Sequence, residues 1–238
     1  MTSEQEVKVA EPASWWEDPI DAVISPVELF DRRRTASLGI PITMIVLGSV
    51  LAYIVLLPVT GMVMDAQAAA NPQAAQAMQQ YGTIFRIVGA VFAPIGMLLI
   101  LAWTALLLWA FGRLFDVRII YSRALLIAVL AAWIAIIGQI LGGIILMLTG
   151  ADPGADLMSA ISFGVLRFTG SEGIPRTLVP LLARVDLFAL WQAALWAIGI
   201  STIYRVPRSR GILIAICVLV LSALPEVLLA LLPQPGAS

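Results

Sequence analysis

The chain has 238 residues, of which 61% are hydrophobic and 12% are charged, and its net charge is −1. Soluble domains carry about 25% charged residues, so this chain has too little charge to cover a water-facing surface. Histidine is absent and Cys217 is the single cysteine, which excludes a disulfide framework and His- or Cys-rich metal sites. No basic excess points to nucleic acid. The composition predicts a membrane protein with lipid neighbours, no cofactor and no nucleic-acid partner.

The segment before the first apolar run divides into two parts. Residues 1–18 are polar and acidic, and we expect them to form a disordered tail. Residues 19–34 place apolar side chains at helical spacing ahead of an arginine triplet, which predicts an amphipathic helix on the membrane surface. Pro26 lies inside this pattern and favours a break into two pieces. The helix is either an anchor that sets the depth of the first span or a docking element. Its apolar positions are Ile20, Val23, Ile24, Val27 and Phe30.

Five apolar runs are long enough to cross the membrane, which takes about 20 residues for roughly 30 Å of hydrocarbon. Glu226, in the fifth run, is the one charged residue within them. We therefore expect an all-α integral membrane protein with an N-terminal interfacial helix, a membrane domain over residues 35–233 and a short tail over residues 234–238. The predicted spans are 38–64, 87–112, 124–149, 187–204 and 211–233.

Basic residues predict the orientation of these spans. Ten of the 14 lysines and arginines precede the first span or lie in the second and fourth loops, which share one side of the membrane. The positive-inside rule places that side in the cytoplasm, so the N-terminus is predicted inside and the C-terminus outside.

The two loops on the opposite side differ in composition. Residues 65–80 are rich in alanine and glutamine, which predicts a helical or flexible spacer. Residues 151–186 contain two apolar stretches that are too short to span, and we expect them to lie at the interface or to re-enter the membrane. They form either a cap on the spans or a lid over an outward-facing cavity.

Polar residues within the spans are the places where chemistry could occur. Gln139, Gln192 and Glu226 are the strongest of these, and none forms a recognisable catalytic set. A carboxylate within a span by default indicates a functional site. Glu226 lies near the end of its run, however, and we favour an ion pair with a loop arginine such as Arg184. We expect no enzymatic activity.

Glycines at regular spacing predict close helix contacts. Gly138 and Gly142 flank Gln139 as a small-xxx-small pair. Gly82, Gly89 and Gly96 recur every seven residues and predict a second close-packing face.

Three stretches together resemble the Yip domain (Ypt-interacting-protein) family. The first is Ser25–Phe30, SPVELF, just before the first span. The second is Asp116–Leu125, DVRIIYSRAL, which is similar to the link from the second to the third span. The third is Asp186–Trp191, DLFALW, which continues to Leu195 and Gly199. The resemblance covers approximately residues 20–230.

The resemblance implies five spans and a cytoplasmic N-terminus. Eukaryotic members are linked to Rab-type GTPases and vesicle budding, but their acidic–tyrosine–glycine–proline motif has no match here. The chain looks like the bacterial branch, which generally lacks an assigned activity, so GTPase binding is not carried over. The cytoplasmic membrane of a bacterium is the expected location.

Two functions remain open after these observations. The leading hypothesis is a non-enzymatic scaffold or adaptor that contacts another membrane protein or a second copy of itself through the segment before the first span. The alternative is a transport or permeation module for a small solute, ion or lipid, based on the polar residues within the spans. The candidate interaction or structural residues are Pro26, Phe30, Asp186, Trp191, Gly199 and Glu226.

Overall fold

The computed structural model of the protein describes residues 14–70, 72–150, 161–169 and 173–231. The regular structure in these ranges is helical, and five segments are long and apolar enough to cross a membrane. The predicted class, an all-α protein with five spans, is confirmed for this part of the chain.

Ten helices follow a 3₁₀ turn at Trp15–Glu17 in the described ranges. They are α1 (Asp18–Ile24), α2 (Pro26–Arg33), α3 (Gly39–Ala70), α4 (Pro72–Leu114), α5 (Tyr121–Thr149), α6 (Val165–Thr169), α7 (Val179–Leu182), α8 (Leu187–Tyr204), α9 (Arg208–Leu221) and α10 (Leu224–Ala230).

The disordered tail predicted over residues 1–18 is wrong at its C-terminal end, because helical structure begins before residue 18. Residues 1–13 lie outside the described part of the chain, but Trp15–Glu17 form a helical turn and Asp18 begins α1. Asp18 is buried, because arginines of α2 pair with it. The predicted tail at residues 234–238 also lies outside the described part.

The first two spanning helices are longer than the predicted spans. α3 continues to Ala70 and α4 starts at Pro72, so helix occupies most of the alanine- and glutamine-rich spacer. Alanine and glutamine are strong helix formers, and proline is well tolerated in a first helical turn. α8 has the bounds of the predicted fourth span.

The predicted fifth span, residues 211–233, is two helices rather than one in its described part. α9 ends at Leu221 and α10 begins at Leu224. Pro225 has no N–H to donate to the carbonyl of Leu221, so a continuous helix would lose a hydrogen bond there. The break at residues 222–223 places α10 next to α7.

α5 is the central helix of the bundle. It packs against α3, α4 and α8, while α9 contacts α8 and α4. In its most apolar stretch 61% of the residues are buried, compared with 17% in α3. The helices α1 and α2 pack at the end of the bundle where α5 begins and α8 ends.

The glycines predicted to make close helix contacts do so on α5 but only in part on α4. A Cβ at Gly138 would lie 2.6 Å from the Phe188 ring, and Gly142 lies against the carbonyl oxygen of Ile161. On α4, Gly89 meets Tyr53, whereas a Cβ at Gly82 or Gly96 would meet no atom of the described residues within 4 Å. The second predicted packing face is therefore wrong at two of its three positions, because small residues permit a close contact without requiring one. The Gly96 position instead borders a cavity.

Candidate functional site

The helices α1 and α2 are held together by charge pairs, and we call residues Trp15–Arg33 the N-terminal module. Arg33 donates from Nε to both carboxylate oxygens of Asp18 at 3.1 Å and stacks over the Trp15 ring at 3.6 Å. Arg32 bridges Asp18 at 3.0 Å and Asp21 at 2.6 Å. The Asp18 side chain is 3% exposed, so these pairs lie largely out of water. Sequence reasoning missed Asp18, although the Asp-Pro pair at a helix start could have indicated it.

The environment of Arg32 stabilises the protonated form of its guanidinium. Burial lowers the pKa of its guanidinium, but hydrogen bonds to Asp21 and Asp18 and their charges raise it, and the net pKa lies above the usual value. Arg32 is therefore charged at any physiological pH.

Pro26 begins α2 in the position where a missing N–H has no cost. The preceding Ser25 has a non-helical backbone, and its carbonyl accepts the hydrogen bond of Leu29 N–H at 3.1 Å. The turn lets the short helices pack against each other, as the break favoured at Pro26 predicts.

The inner face of the N-terminal module brings two of the candidate residues together. Phe30 and Leu29 are fully buried. The ring of Phe30 lies over Gly199 of α8, where a Cβ would be only 2.9 Å from its Cε1 and 3.0 Å from Cγ2 of Ile127. Two of the stretches that carry the family resemblance therefore form a single contact between α2 and α8.

The outer face of the N-terminal module is apolar and exposed. Ile24 is 71% exposed, and the residues around it are about half exposed. The predicted apolar stripe thus faces away from the bundle, except for Phe30, which faces inward. The exposed residues of this outer face are Trp16, Ile20, Val23, Ile24 and Val27.

Asp186 caps α8 and holds the loop beside it. Its Oδ1 accepts from the N–H groups of Phe188 and Ala189 at 2.8 and 3.2 Å, which satisfies two free donors of the first helical turn. Its Oδ2 accepts from Ser162 Oγ at 3.0 Å and from the N–H of Phe163. All four bonds are structural, so Asp186 fixes the start of the fourth span.

Trp191 and Glu226 lie at the same end of the bundle as Asp186. Trp191 is 40% exposed on the surface of α8. Glu226, on α10, accepts a hydrogen bond from Nη2 of Arg184 at 2.9 Å, and the same nitrogen donates to the carbonyl of Ser222 at 3.3 Å. The ion pair that we favoured for Glu226 is present, and it ties the α7–α8 loop to α10.

The three polar residues within the predicted spans meet in one place. Gln139 of α5, Gln192 of α8 and Glu226 of α10 line a cavity of about 550 Å³, which we call the polar cavity. Within the described ranges, its other polar lining residues are Ser162, Arg184 and Asp186. The spacing along the chain did not reveal this meeting, because three separate elements contribute.

The described residues contain no group of three or more His, Cys, Asp or Glu side chains that could hold a metal ion. The Asp186 carboxylate is committed to four hydrogen bonds, and the Glu226 carboxylate is paired with an arginine. The polar cavity offers hydrogen bonds and one ion pair, which can recognise a polar or charged group.

Comparison with known families identifies the relationship. A Yip1 domain family model matches residues 20–229, which include the N-terminal module from Ile20 onward, the first four spanning segments and all but the last residue of the fifth. The comparisons with curated proteins and with solved structures gave no match. Because the matched region is most of the chain and includes the Phe30–Gly199 contact, the resemblance is confirmed, and the chain belongs to the Yip1 domain family.

Proposed function

We propose that this Yip1 domain protein is a non-enzymatic membrane scaffold or adaptor that contacts another membrane protein through its N-terminal module. The observation that carries the proposal is the two-sided construction of the N-terminal module. Its inner face is fixed by Phe30 and the Asp18 pairs, while its outer face presents exposed apolar side chains. A preorganised apolar surface binds with less loss of conformational entropy than a flexible one.

The expected partner is an apolar or amphipathic helix at the membrane surface. The N-terminal module packs where α5 begins and α8 ends, and its apolar outer face is exposed at that end of the bundle. Arg113, Arg123, Arg208 and Arg210 lie on the helices at this end, which supports a cytoplasmic location in a bacterial inner membrane. An anchoring role toward lipid alone would leave partner recovery unaffected by changes in this face.

Affinity purification in mild detergent, followed by mass spectrometry, tests the adaptor role. The double substitution Ile20→Ser and Ile24→Ser should abolish recovery of a stoichiometric partner without unfolding the bundle. The matched control is Ile212→Ser with Ile216→Ser on α9, since Ile20 and Ile212 are 52% and 50% exposed. Equal recovery with both double variants would overturn the proposed contact surface. Deletion of residues 1–35 is a poorer test, because it removes Leu29 and Phe30 from the core.

A second candidate is a transport or permeation module for a small solute, ion or lipid. The polar cavity favours it, because it collects Gln139, Gln192 and Glu226. At the opposite end of α5 and α8, however, Phe30, Ile127 and Leu195 fill the space between the helices. A Glu226→Gln substitution that abolishes pH-dependent flux in proteoliposomes would support transport, and unchanged flux would argue against it.

A further inference from the structure

Two cavities flank the same pair of residues in the half of the bundle near α6 and α7. The polar cavity lies between α5, α8 and the loop before α8. A second cavity of about 680 Å³, which we call the apolar cavity, lies between α3, α4 and α5. Gln139 and Ile161 line both of them. Both volumes fall within the roughly 300–1,000 Å³ of typical ligand pockets.

The apolar cavity is suited to hydrocarbon. Its lining is dominated by aliphatic side chains and glycines, including Leu56, Val59, Gly96, Met97 and Ile136. The surrounding helices are spanning segments, so the ligand with best access to this space is a lipid of the bilayer.

The polar cavity, which adjoins the apolar cavity, is lined by both positively and negatively charged side chains. Arg184 and Glu226 pair at 2.9 Å, but Nε of Arg184 is buried and has no hydrogen-bond partner among the described residues. A buried guanidinium donor without a partner is costly, and a phosphate oxygen would satisfy it. Glu226 is half exposed and can accept a further hydrogen bond.

The charge balance of the polar cavity selects among headgroups. Among the residues that the structure describes, two carboxylates, Asp186 and Glu226, and one guanidinium, Arg184, line it. An anionic headgroup without an amine would meet more negative than positive charge. A headgroup with a phosphate and a primary ammonium can instead pair the phosphate with Arg184 and the ammonium with Glu226.

We propose that the two adjoining cavities hold one phospholipid with an ethanolamine-type headgroup. The phosphate and ammonium lie in the polar cavity at Arg184 and Glu226, and an acyl chain passes Gln139 into the apolar cavity. This site is independent of the adaptor role, because it uses none of the residues in the N-terminal module.

Native mass spectrometry of the full-length protein in detergent tests the headgroup. On titration with palmitoyl-oleoyl phosphatidylethanolamine, the wild-type chain should retain one lipid in preference to phosphatidylglycerol with the same acyl chains. Arg184→Gln should lower the apparent affinity about tenfold or more, as expected for loss of a charge-assisted hydrogen bond. The matched control is Arg176→Gln, because Arg176 is an exposed arginine just before α7 and does not line the cavity.

Filling the apolar cavity tests the acyl chain. Gly96→Leu adds a side chain into the cavity, since a Cβ there meets no atom within 4 Å, and it should reduce lipid retention several-fold. Gly82→Leu is the control, because Gly82 is equally open but does not line the cavity. Thermal unfolding of each variant separates loss of lipid from loss of fold.

Three results would overturn the assignment. Equal retention of the two lipids would show that the headgroup is wrong. Equal affinity of the Arg184→Gln and Arg176→Gln variants for phosphatidylethanolamine would show that Arg184 does not bind the headgroup. Unchanged lipid binding by a folded Gly96→Leu variant would exclude the apolar cavity as the place of the acyl chain.

Discussion

At the scale of single residues, the contact between Phe30 and Gly199 has the clearest physical constraint. The ring of Phe30 occupies the space where any larger residue at position 199 would place its Cβ. Ile127 closes the same space from α5, so neither helix can move aside without disturbing the core. Glycine at this position lets α2 sit directly on α8.

Gly199→Ala is expected to destabilise the bundle by about 1–3 kcal/mol, because the added methyl group overpacks a filled site. Thermal unfolding of the purified protein in detergent measures the effect. Gly96→Ala on α4 is the control, since its Cβ would meet no neighbour, and it should not lower the unfolding temperature.

A second substitution identifies the contact behind this loss. Phe30→Leu in the Gly199→Ala background should restore part of the stability, because a smaller side chain makes room for the methyl group. Equal losses in the two glycine variants, or strictly additive effects of Phe30→Leu and Gly199→Ala, would contradict this account.

At the scale of elements, the N-terminal module is held by buried charge pairs as well as by apolar packing. Asp18 accepts from Arg32 and Arg33, and its side chain is 3% exposed. Removing one partner of a buried ion pair leaves an uncompensated charge, which costs more than the pair itself contributes. The exposed pair of Arg34 with Asp31, at 3.8 Å, has no such consequence.

Asp18→Asn should therefore release the N-terminal module from the bundle, with a cost of about 3–5 kcal/mol. Hydrogen exchange should show loss of protection across α1 and α2, while α5 stays protected. Asp31→Asn is the matched control and should change stability by less than about 1 kcal/mol. If both variants retain the same protection in α1, the charge pairs do not hold the N-terminal module.

Much of the fold at this scale follows from the sequence, because long apolar runs in a membrane have no alternative to helix. The break between α9 and α10 and the burial of Asp18 do not follow from the sequence. The first depends on how Pro225 is accommodated beside α7, and the second on arginines that lie 14 and 15 positions further along the chain.

At the scale of the whole molecule, the distribution of arginines predicts the orientation. The end that carries the N-terminal module holds most of the basic residues, so the positive-inside rule places it in the cytoplasm. The opposite end, with α6, α7, α10 and the polar cavity, is then predicted to face outward.

Single-cysteine labelling checks this orientation in a Cys217→Ala background. Ser37→Cys and Thr149→Cys place exposed thiols at opposite ends of the bundle. With a membrane-impermeant maleimide, Thr149→Cys should react in intact cells and Ser37→Cys only after lysis. The reverse pattern would invert the predicted topology.

The class of the protein, the five spans and the family can be predicted from the sequence, because each depends on composition, on apolar run length or on short contiguous motifs. The sequence also identified Phe30, Gly199, Asp186 and Glu226, and for Glu226 it indicated the partner, Arg184. The folded bundle was needed to show that Phe30 packs on Gly199, that Asp18 pairs with Arg32 and Arg33, and that Gln139, Gln192 and Glu226 line one cavity. These are contacts between distant parts of the chain, and they depend on how the helices are rotated and offset in the bundle, which periodicity along a uniformly apolar helix cannot specify.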